Sequence, residues 1–146
     1  DFMKEETNIK VLNDLNKGVC MGSDAVKVIY EKAEGKKLRL LIENLLEEYE
    51  DLEERINKVF EKYSDKDIKE TSALNKMMTW YGISIRTIND SSNSKISEML
   101  IQGLNMGIIE GKKLVNNNEI DKCIYKLIED FVDMQERYVE EFKEFL

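Results

Sequence analysis

The sequence has no proline and no histidine, and only two cysteines occur among its 146 residues. Without proline, long helices can run uninterrupted, and a loop-rich β fold is disfavoured. Without histidine, the chain lacks the commonest metal ligand and the commonest general base. Long apolar runs are also missing, so no segment is predicted to span a membrane. No secretory signal pattern is visible, and we therefore predict a cytoplasmic protein.

Basic residues are scarce relative to acidic ones, because 22 Lys and Arg stand against 30 Asp and Glu and give a net charge of −8. Nucleic acids and anionic membrane surfaces attract concentrated positive charge, so neither is a predicted partner. Cys20 and Cys123 match no zinc or redox spacing. They fall at different heights of the predicted helices, so we expect two buried free thiols rather than a disulfide.

Glycine recurs at helical spacing in two related segments, Lys17–Ile29 and Gln102–Val115, which align when one is shifted by 85 positions. The first segment contains Gly18 and Gly22, and the second contains Gly103, Gly107 and Gly111. A glycine inside a helix lowers stability by roughly 0.5–1 kcal/mol relative to alanine, so several glycines on one helix face indicate a structural role. We predict close contact between the two helices; a cavity for a small ligand is the alternative.

Hydrophobic periodicity predicts four long helices, named A (5–34), B (36–62), C (94–115) and D (119–146). A short link forces A and B into an antiparallel hairpin, and the apolar positions of B recur in D after a shift of 86. The chain is therefore predicted to be one all-α domain (1–146). It consists of hairpin A–B (5–63), a connector helix (65–90) and hairpin C–D (94–146).

Three stretches resemble the ferritin-like superfamily, namely Gly22–Glu34, Leu41–Leu52 and the connector around Trp80, together with the second hairpin. The chain is most similar to small bacterial families that lack the complete di-metal site. The resemblance covers nearly all residues and implies a four-helix bundle of two antiparallel hairpins joined by one long crossover.

Metal-binding members of the superfamily carry Glu on two helices and Glu-x-x-His on the other two. The nearest equivalents here are Glu47 and Glu50 on B and Asp133 and Glu136 on D, so glutamate stands at both histidine positions. Helical phase turns these carboxylates away from the core face. We therefore predict a metal-free structural or partner-binding module with no cofactor and no catalytic residues. The alternative is a carboxylate-only iron or manganese protein or an oxidoreductase.

Five residues bring polar groups to the predicted core: Asn16 and Ser23 interrupt the apolar face of helix A, and Tyr30, Tyr49 and Tyr138 lie on apolar faces. We predict that they are satisfied core groups, and an interior polar site is the alternative.

The connector helix carries apolar residues on the side opposite its predicted core face. These residues are Met77, Trp80 and Ile83. Exposed apolar patches often mark interfaces, and tryptophan is a frequent hot-spot residue. We predict a homodimer in which two connector helices meet.

Overall fold

The computed structural model describes residues 2–68 and 80–146, and all regular secondary structure within those two ranges is helical. The five helices are α1 (Phe2–Lys32), α2 (Lys36–Phe60), α3 (Trp80–Arg86), α4 (Asn93–Asn117) and α5 (Lys122–Lys143). The all-α prediction is therefore confirmed.

The turn between α1 and α2 is stabilised by Arg39. Its Nη1 donates to the backbone oxygen of Tyr30 over 2.9 Å and to that of Ala33 over 2.6 Å. The guanidinium also lies 4.0 Å from the centre of the Tyr30 ring. These bonds satisfy carbonyl groups that the end of a helix leaves without a partner, so the chain can reverse within three residues.

The four long helices pack in a ring, because α1 and α5 each contact both α2 and α4. Three pairs of cross-helix contacts fix the directions. They are Tyr30–Glu43 and Gly22–Tyr49 between α1 and α2, Glu48–Arg137 and Arg55–Asp130 between α2 and α5, and Gly107–Gln135 and Gly111–Val132 between α4 and α5. Between the two contacts of each pair, the residue number increases along one helix and decreases along the other, so the two helices are antiparallel. Helices α2 and α4 consequently run in the same direction.

The core is formed by the apolar faces of these four helices and by Tyr81 and Ile85 of α3. The predicted face of helix B is buried from Leu38 to Ile56. At its end, Phe60 is buried and Val59 only partly so. The buried face therefore moves by one position at this end, because the 3.6-residue turn drifts from a strict 3.5-residue repeat over several turns.

Residues 69–79 of the predicted connector helix (65–90) lie outside the described residues. Residues 65–68 are not helical, and the described helix is limited to Trp80–Arg86. Residues 87–92 are irregular, and the Asp90 carboxylate accepts a hydrogen bond from the Ser92 backbone N–H over 2.9 Å. Such a local turn competes with helix continuation. Ser92 then caps α4 by accepting a bond from the Lys95 N–H.

Helix α5 begins at Lys122, three residues later than the pattern predicted for helix D. The side chain of Asn118 donates to the Leu114 backbone oxygen over 2.9 Å, so it satisfies the end of α4 instead of beginning the next helix. The backbone N–H of Asp121 donates to the Asn8 side chain over 3.1 Å and ties the start of α5 to α1.

Candidate functional site

A cavity of about 110 Å³ lies between α1 and α4 at the middle of the helices. All five helices contribute to its lining, and the lining is overwhelmingly apolar. Tyr49 comes from α2, Tyr81 from α3, and Phe131 and Gln135 from α5. Two exposed residues of α4, Met106 and Glu110, also line it and lie one helical turn apart, so the cavity opens to solvent on that side.

Three buried polar side chains reach the cavity, and they are hydrogen-bonded to each other or to the backbone. The Tyr49 hydroxyl donates to Oε1 of Gln135 over 3.4 Å, and Nε2 of Gln135 donates to the Phe131 backbone oxygen over 3.2 Å. The Tyr81 hydroxyl donates to the Met99 backbone oxygen over 3.0 Å. Burial raises the pKa of both tyrosines well above the ordinary value, so both remain neutral hydroxyl groups.

Three of the predicted glycines make room for these polar side chains. A Cβ at Gly22 would lie 2.8 Å from the Tyr49 hydroxyl oxygen, and one at Gly103 would lie 2.4 Å from that of Tyr81. A Cβ at Gly107 would lie 1.9 Å from Oε1 of Gln135. Any side chain at these positions would displace a polar residue of the cavity wall.

The other two glycines differ from each other. A Cβ at Gly111 would lie 2.6 Å from Cγ2 of Val132, whereas one at Gly18 would meet only Cζ of Phe131, at 3.9 Å. The atoms nearest to all five positions belong to side chains of α2, α3 and α5. Direct backbone contact between α1 and α4 therefore stays a prediction, while four of the glycines line the cavity.

The four carboxylates considered as metal ligands, Glu47, Glu50, Asp133 and Glu136, are all exposed, as their helical phase predicted. Within the described ranges, one group of three acidic residues could hold an ion, and only Asp133 of the four belongs to it. The other two members are Glu129 and Asp130. The four carboxylates of the alternative metal-binding interpretation therefore do not converge on one point, and the apolar cavity does not fit a carboxylate di-metal centre.

Within that acidic group, Asp130 already has cationic partners. Its carboxylate lies 2.7 Å from Arg55 and 3.0 Å from Lys126. Arg55 and Asp130 line an open surface groove between α2 and α5, where Arg137 and Glu48 form a second ion pair at 2.6 Å. Both arginines of the groove are paired with a carboxylate, and Asp51 and Asp133 leave its lining with an excess of negative charge.

Of the five residues predicted to bring polar groups to the core, Asn16, Ser23, Tyr49 and Tyr138 are buried, and only Tyr49 lines the cavity. Tyr30 is half-buried and donates to Glu43 over 2.7 Å. Gln135 and Glu110 were not singled out from the sequence. Gln135 could have been found, because it lies 86 positions after Tyr49, at the same shift that relates the two hairpins.

As predicted, the two cysteines are not joined by a disulfide. The expectation that both are buried is wrong, because Cys20 is only partly buried and Cys123 is exposed near the start of α5. Its sulfur lies 3.3 Å from the Tyr63 hydroxyl, which also donates to Asp121 over 2.6 Å. The first turn of α5 lies at the surface, where a polar partner is available to the thiol.

The predicted dimer residues that fall in the described part of the chain are exposed, Trp80 by 70% and Ile83 by 49%. Met77 lies outside the described residues. Tyr81 and Ile85, on the opposite side of α3, are buried, so the helix has one core face and one open apolar face. The homodimer stays a prediction.

In the two described ranges, no helix has both the length and the apolar character needed to cross a bilayer.

No protein-family model and no curated protein matches the chain. Solved structures that are similar to the chain include forms of CopM. The Cu(II)-bound form aligns with a TM-score of 0.70 at 15% identity and covers 94% of this chain and 93% of that chain. The co-crystallised silver-bound form aligns with a TM-score of 0.69 at 14% identity, and the apo form aligns with a TM-score of 0.67 at 15% identity. Both alignments cover 94% of this chain and 93% of the CopM chain. At such low identity the likeness shows a similar helical fold.

Proposed function

We propose that this protein is a ferritin-like binding module without enzymatic activity, and that it takes a small apolar molecule into the cavity between α1 and α4. The observation that carries the proposal is an apolar cavity of about 110 Å³ that opens to solvent beside Met106 and Glu110. An apolar pocket with a few placed polar groups is the usual form of a small-molecule site. An engineered apolar cavity of about 150 Å³ in another protein stays dry and binds benzene or xenon.

The ferritin-like part of the proposal is supported by helix directions and by the internal repeat. Two antiparallel hairpins whose α2 and α4 run in the same direction need one long crossover. Gly22 faces Tyr49, and Gly107 faces Gln135. These two pairs are related by shifts of 85 and 86, so each hairpin places a large polar side chain over a glycine at equivalent positions.

Binding is favoured over catalysis by the chemistry of the lining. The chain has no histidine, and the two tyrosines have pKa values raised by burial, so neither is suited to accept or release a proton near neutral pH. Gln135 does not titrate. The remaining ionisable lining group, Glu110, is exposed at the opening.

Xenon and benzene test the cavity directly. We expect ¹²⁹Xe NMR to report saturable binding, and we expect benzene to raise the thermal midpoint of the parent. Gly18→Leu should abolish both effects, because Gly18 lines the cavity and a Cβ there would have only Phe131 within 4 Å, so the larger side chain can enter the space. Gly18→Ala is the matched control and should retain most of the binding. Absence of saturable binding to the parent would overturn the proposal, as would equal binding by the Leu variant.

A second candidate, a site for a soft metal ion, is favoured by two observations. The fold is similar to CopM, of which silver- and Cu(II)-bound forms are known. Met21 and Met106 both line the cavity, and thioether sulfur is a ligand that soft monovalent ions prefer.

Silver titration distinguishes this candidate from the first. The titration is best done after Cys20→Ala and Cys123→Ala, because the two thiols would bind silver themselves. Met21→Leu and Met106→Leu should each weaken binding if the site lies in the cavity. Met134→Leu is the control, because Met134 is buried but does not line the cavity. Silver binding that survives both cavity variants would place any metal site elsewhere.

A further inference from the structure

We infer that the ligand of the cavity is a small primary amine, bound with its apolar body inside and its ammonium group at the opening beside Glu110. The inference rests on the proposed function and adds the chemical class of the ligand. It follows from the hydrogen-bonding state of the lining groups, from the position of one carboxylate and from the size of the space.

The buried polar groups of the cavity offer acceptors more than donors. A tyrosine hydroxyl has one proton to donate and two lone pairs. The single proton of Tyr49 is given to Gln135, and that of Tyr81 is given to the Met99 backbone oxygen. Toward a ligand, both hydroxyl oxygens can therefore only accept, so an anionic head placed inside the cavity would find only the second amide N–H of Gln135 as a side-chain donor.

Glu110 adds a negative charge at the opening. It lines the cavity and its side chain is 69% exposed, so it can meet the end of a ligand that remains in contact with water. Its partner, Lys113, lies 3.7 Å away and is 65% exposed. Such a surface pair is weak, so a ligand ammonium can replace the lysine. A ligand carboxylate would be repelled by Glu110, and the net charge of −8 also disfavours anionic ligands and favours cationic ones.

The cavity limits the body of the amine. An apolar cavity of about 150 Å³ accepts benzene, so the smaller space here suits a chain of about four carbon atoms. Placing the ammonium at the opening avoids the large cost of burying an unpaired charge. The apolar lining then contacts only the carbon chain.

The test compares three ligands with the same four-carbon chain and different heads, namely n-butylamine, 1-butanol and butyrate. Binding is followed by protein NMR shifts of residues at the cavity at neutral pH. We expect the amine to bind tightest and butyrate weakest. Glu110→Gln should weaken the amine roughly two- to fivefold, the range of an exposed ion pair, and should leave 1-butanol unchanged. Glu98→Gln is the matched control, because Glu98 is an exposed glutamate of α4 in a similar pair with Lys95, away from the cavity.

The outcomes separate the two proposals. If 1-butanol binds and Gly18→Leu abolishes its binding, but the amine binds no tighter than butanol or butyrate, the amine inference fails and the cavity proposal stands. If the amine binds tightest and Glu110→Gln has no effect, the ammonium is not at Glu110 and the inference also fails. If none of the three ligands binds and xenon and benzene do not either, both proposals fail.

Discussion

The hydroxyl of Tyr49 donates to Oε1 of Gln135 across 3.4 Å and joins α2 to α5 between positions that are 86 residues apart. That separation is the shift that relates the two predicted hairpins. Both residues are buried, and each fills the space over a glycine, Tyr49 over Gly22 and Gln135 over Gly107. The internal repeat is therefore visible as a contact, in which equivalent positions of the two hairpins meet beside the cavity.

A double-mutant cycle on Tyr49 and Gln135 measures the coupling free energy between the two side chains. Tyr49→Phe removes the donor and leaves the Gln135 oxygen buried without it, which should lower the free energy of unfolding by about 1 kcal/mol. Gln135→Leu should have a similar effect. Urea unfolding of both single variants and the double variant should give a coupling of about 0.5–1 kcal/mol. Tyr125→Phe is the control, since Tyr125 is 48% exposed. Additive effects of the two changes would show that the bond contributes nothing.

Replacement by alanine should change the stability of the protein differently at different glycines. Gly18→Ala meets only ordinary contact at 3.9 Å, so the gain in helix propensity should stabilise the protein by about 0.5–1 kcal/mol. Gly107→Ala places a methyl group against the Gln135 amide and should destabilise it by about 1–3 kcal/mol, and Gly107→Leu by at least as much. Thermal and urea unfolding of the three variants test this. Equal stability of Gly107→Ala and the parent would mean that Gln135 moves freely and that the glycine is not required.

Acid should weaken the contact between α2 and α5 through Glu48. Arg137 donates to both carboxylate oxygens, and the Tyr138 hydroxyl donates as well. The hydrogen bonds from Arg137 lower the Glu48 pKa below its ordinary value of 4.5. Because the folded-state pKa is the lower one, the stabilisation is complete above the ordinary value and is lost as the pH falls through the lowered value.

Glu48→Gln should therefore cost about 0.5–1 kcal/mol at pH 7, a figure that allows for solvent screening of a side chain that is 36% exposed. The difference from the parent should shrink as the pH falls through the lowered pKa and Glu48 of the parent becomes protonated. Urea unfolding at several pH values measures both quantities. Glu47→Gln, at the exposed neighbouring position, is the control. A difference that does not shrink as the solution is made more acidic would contradict this account.

The open face of α3 predicts self-association. A homodimer through Trp80 and Ile83 would bury two side chains that the single chain leaves mostly exposed. Sedimentation velocity should show a dimer for the parent at high micromolar concentration and a monomer for the Trp80→Ala, Ile83→Glu double variant. Leu40→Glu, at a position on α2 that is 59% exposed, should leave the dimer intact. A monomeric parent would end the proposal.

The sequence by itself determined the helices and the sides they expose. The 3.6-residue turn fixes the direction of each side chain relative to its neighbours, so the phase of the apolar residues was enough to place Glu47 and Asp133 outside. The same reasoning placed Trp80 outside and the face from Leu38 to Ile56 inside. Helix ends were less well predicted, because Asn118 can satisfy the end of one helix or the start of the next, and its neighbours in space select between them.

Only the tertiary structure decided what the glycines are for. Their spacing shows that space is left on one face of α1 and α4, but the side chains that enter that space come from other helices, tens of residues away. Tyr49, Tyr81 and Gln135 occupy part of it, and about 110 Å³ remains open. Whether such a gap becomes a contact or a cavity depends on how closely whole helices approach. The packing of all the helices together sets that distance, and no local pattern contains it.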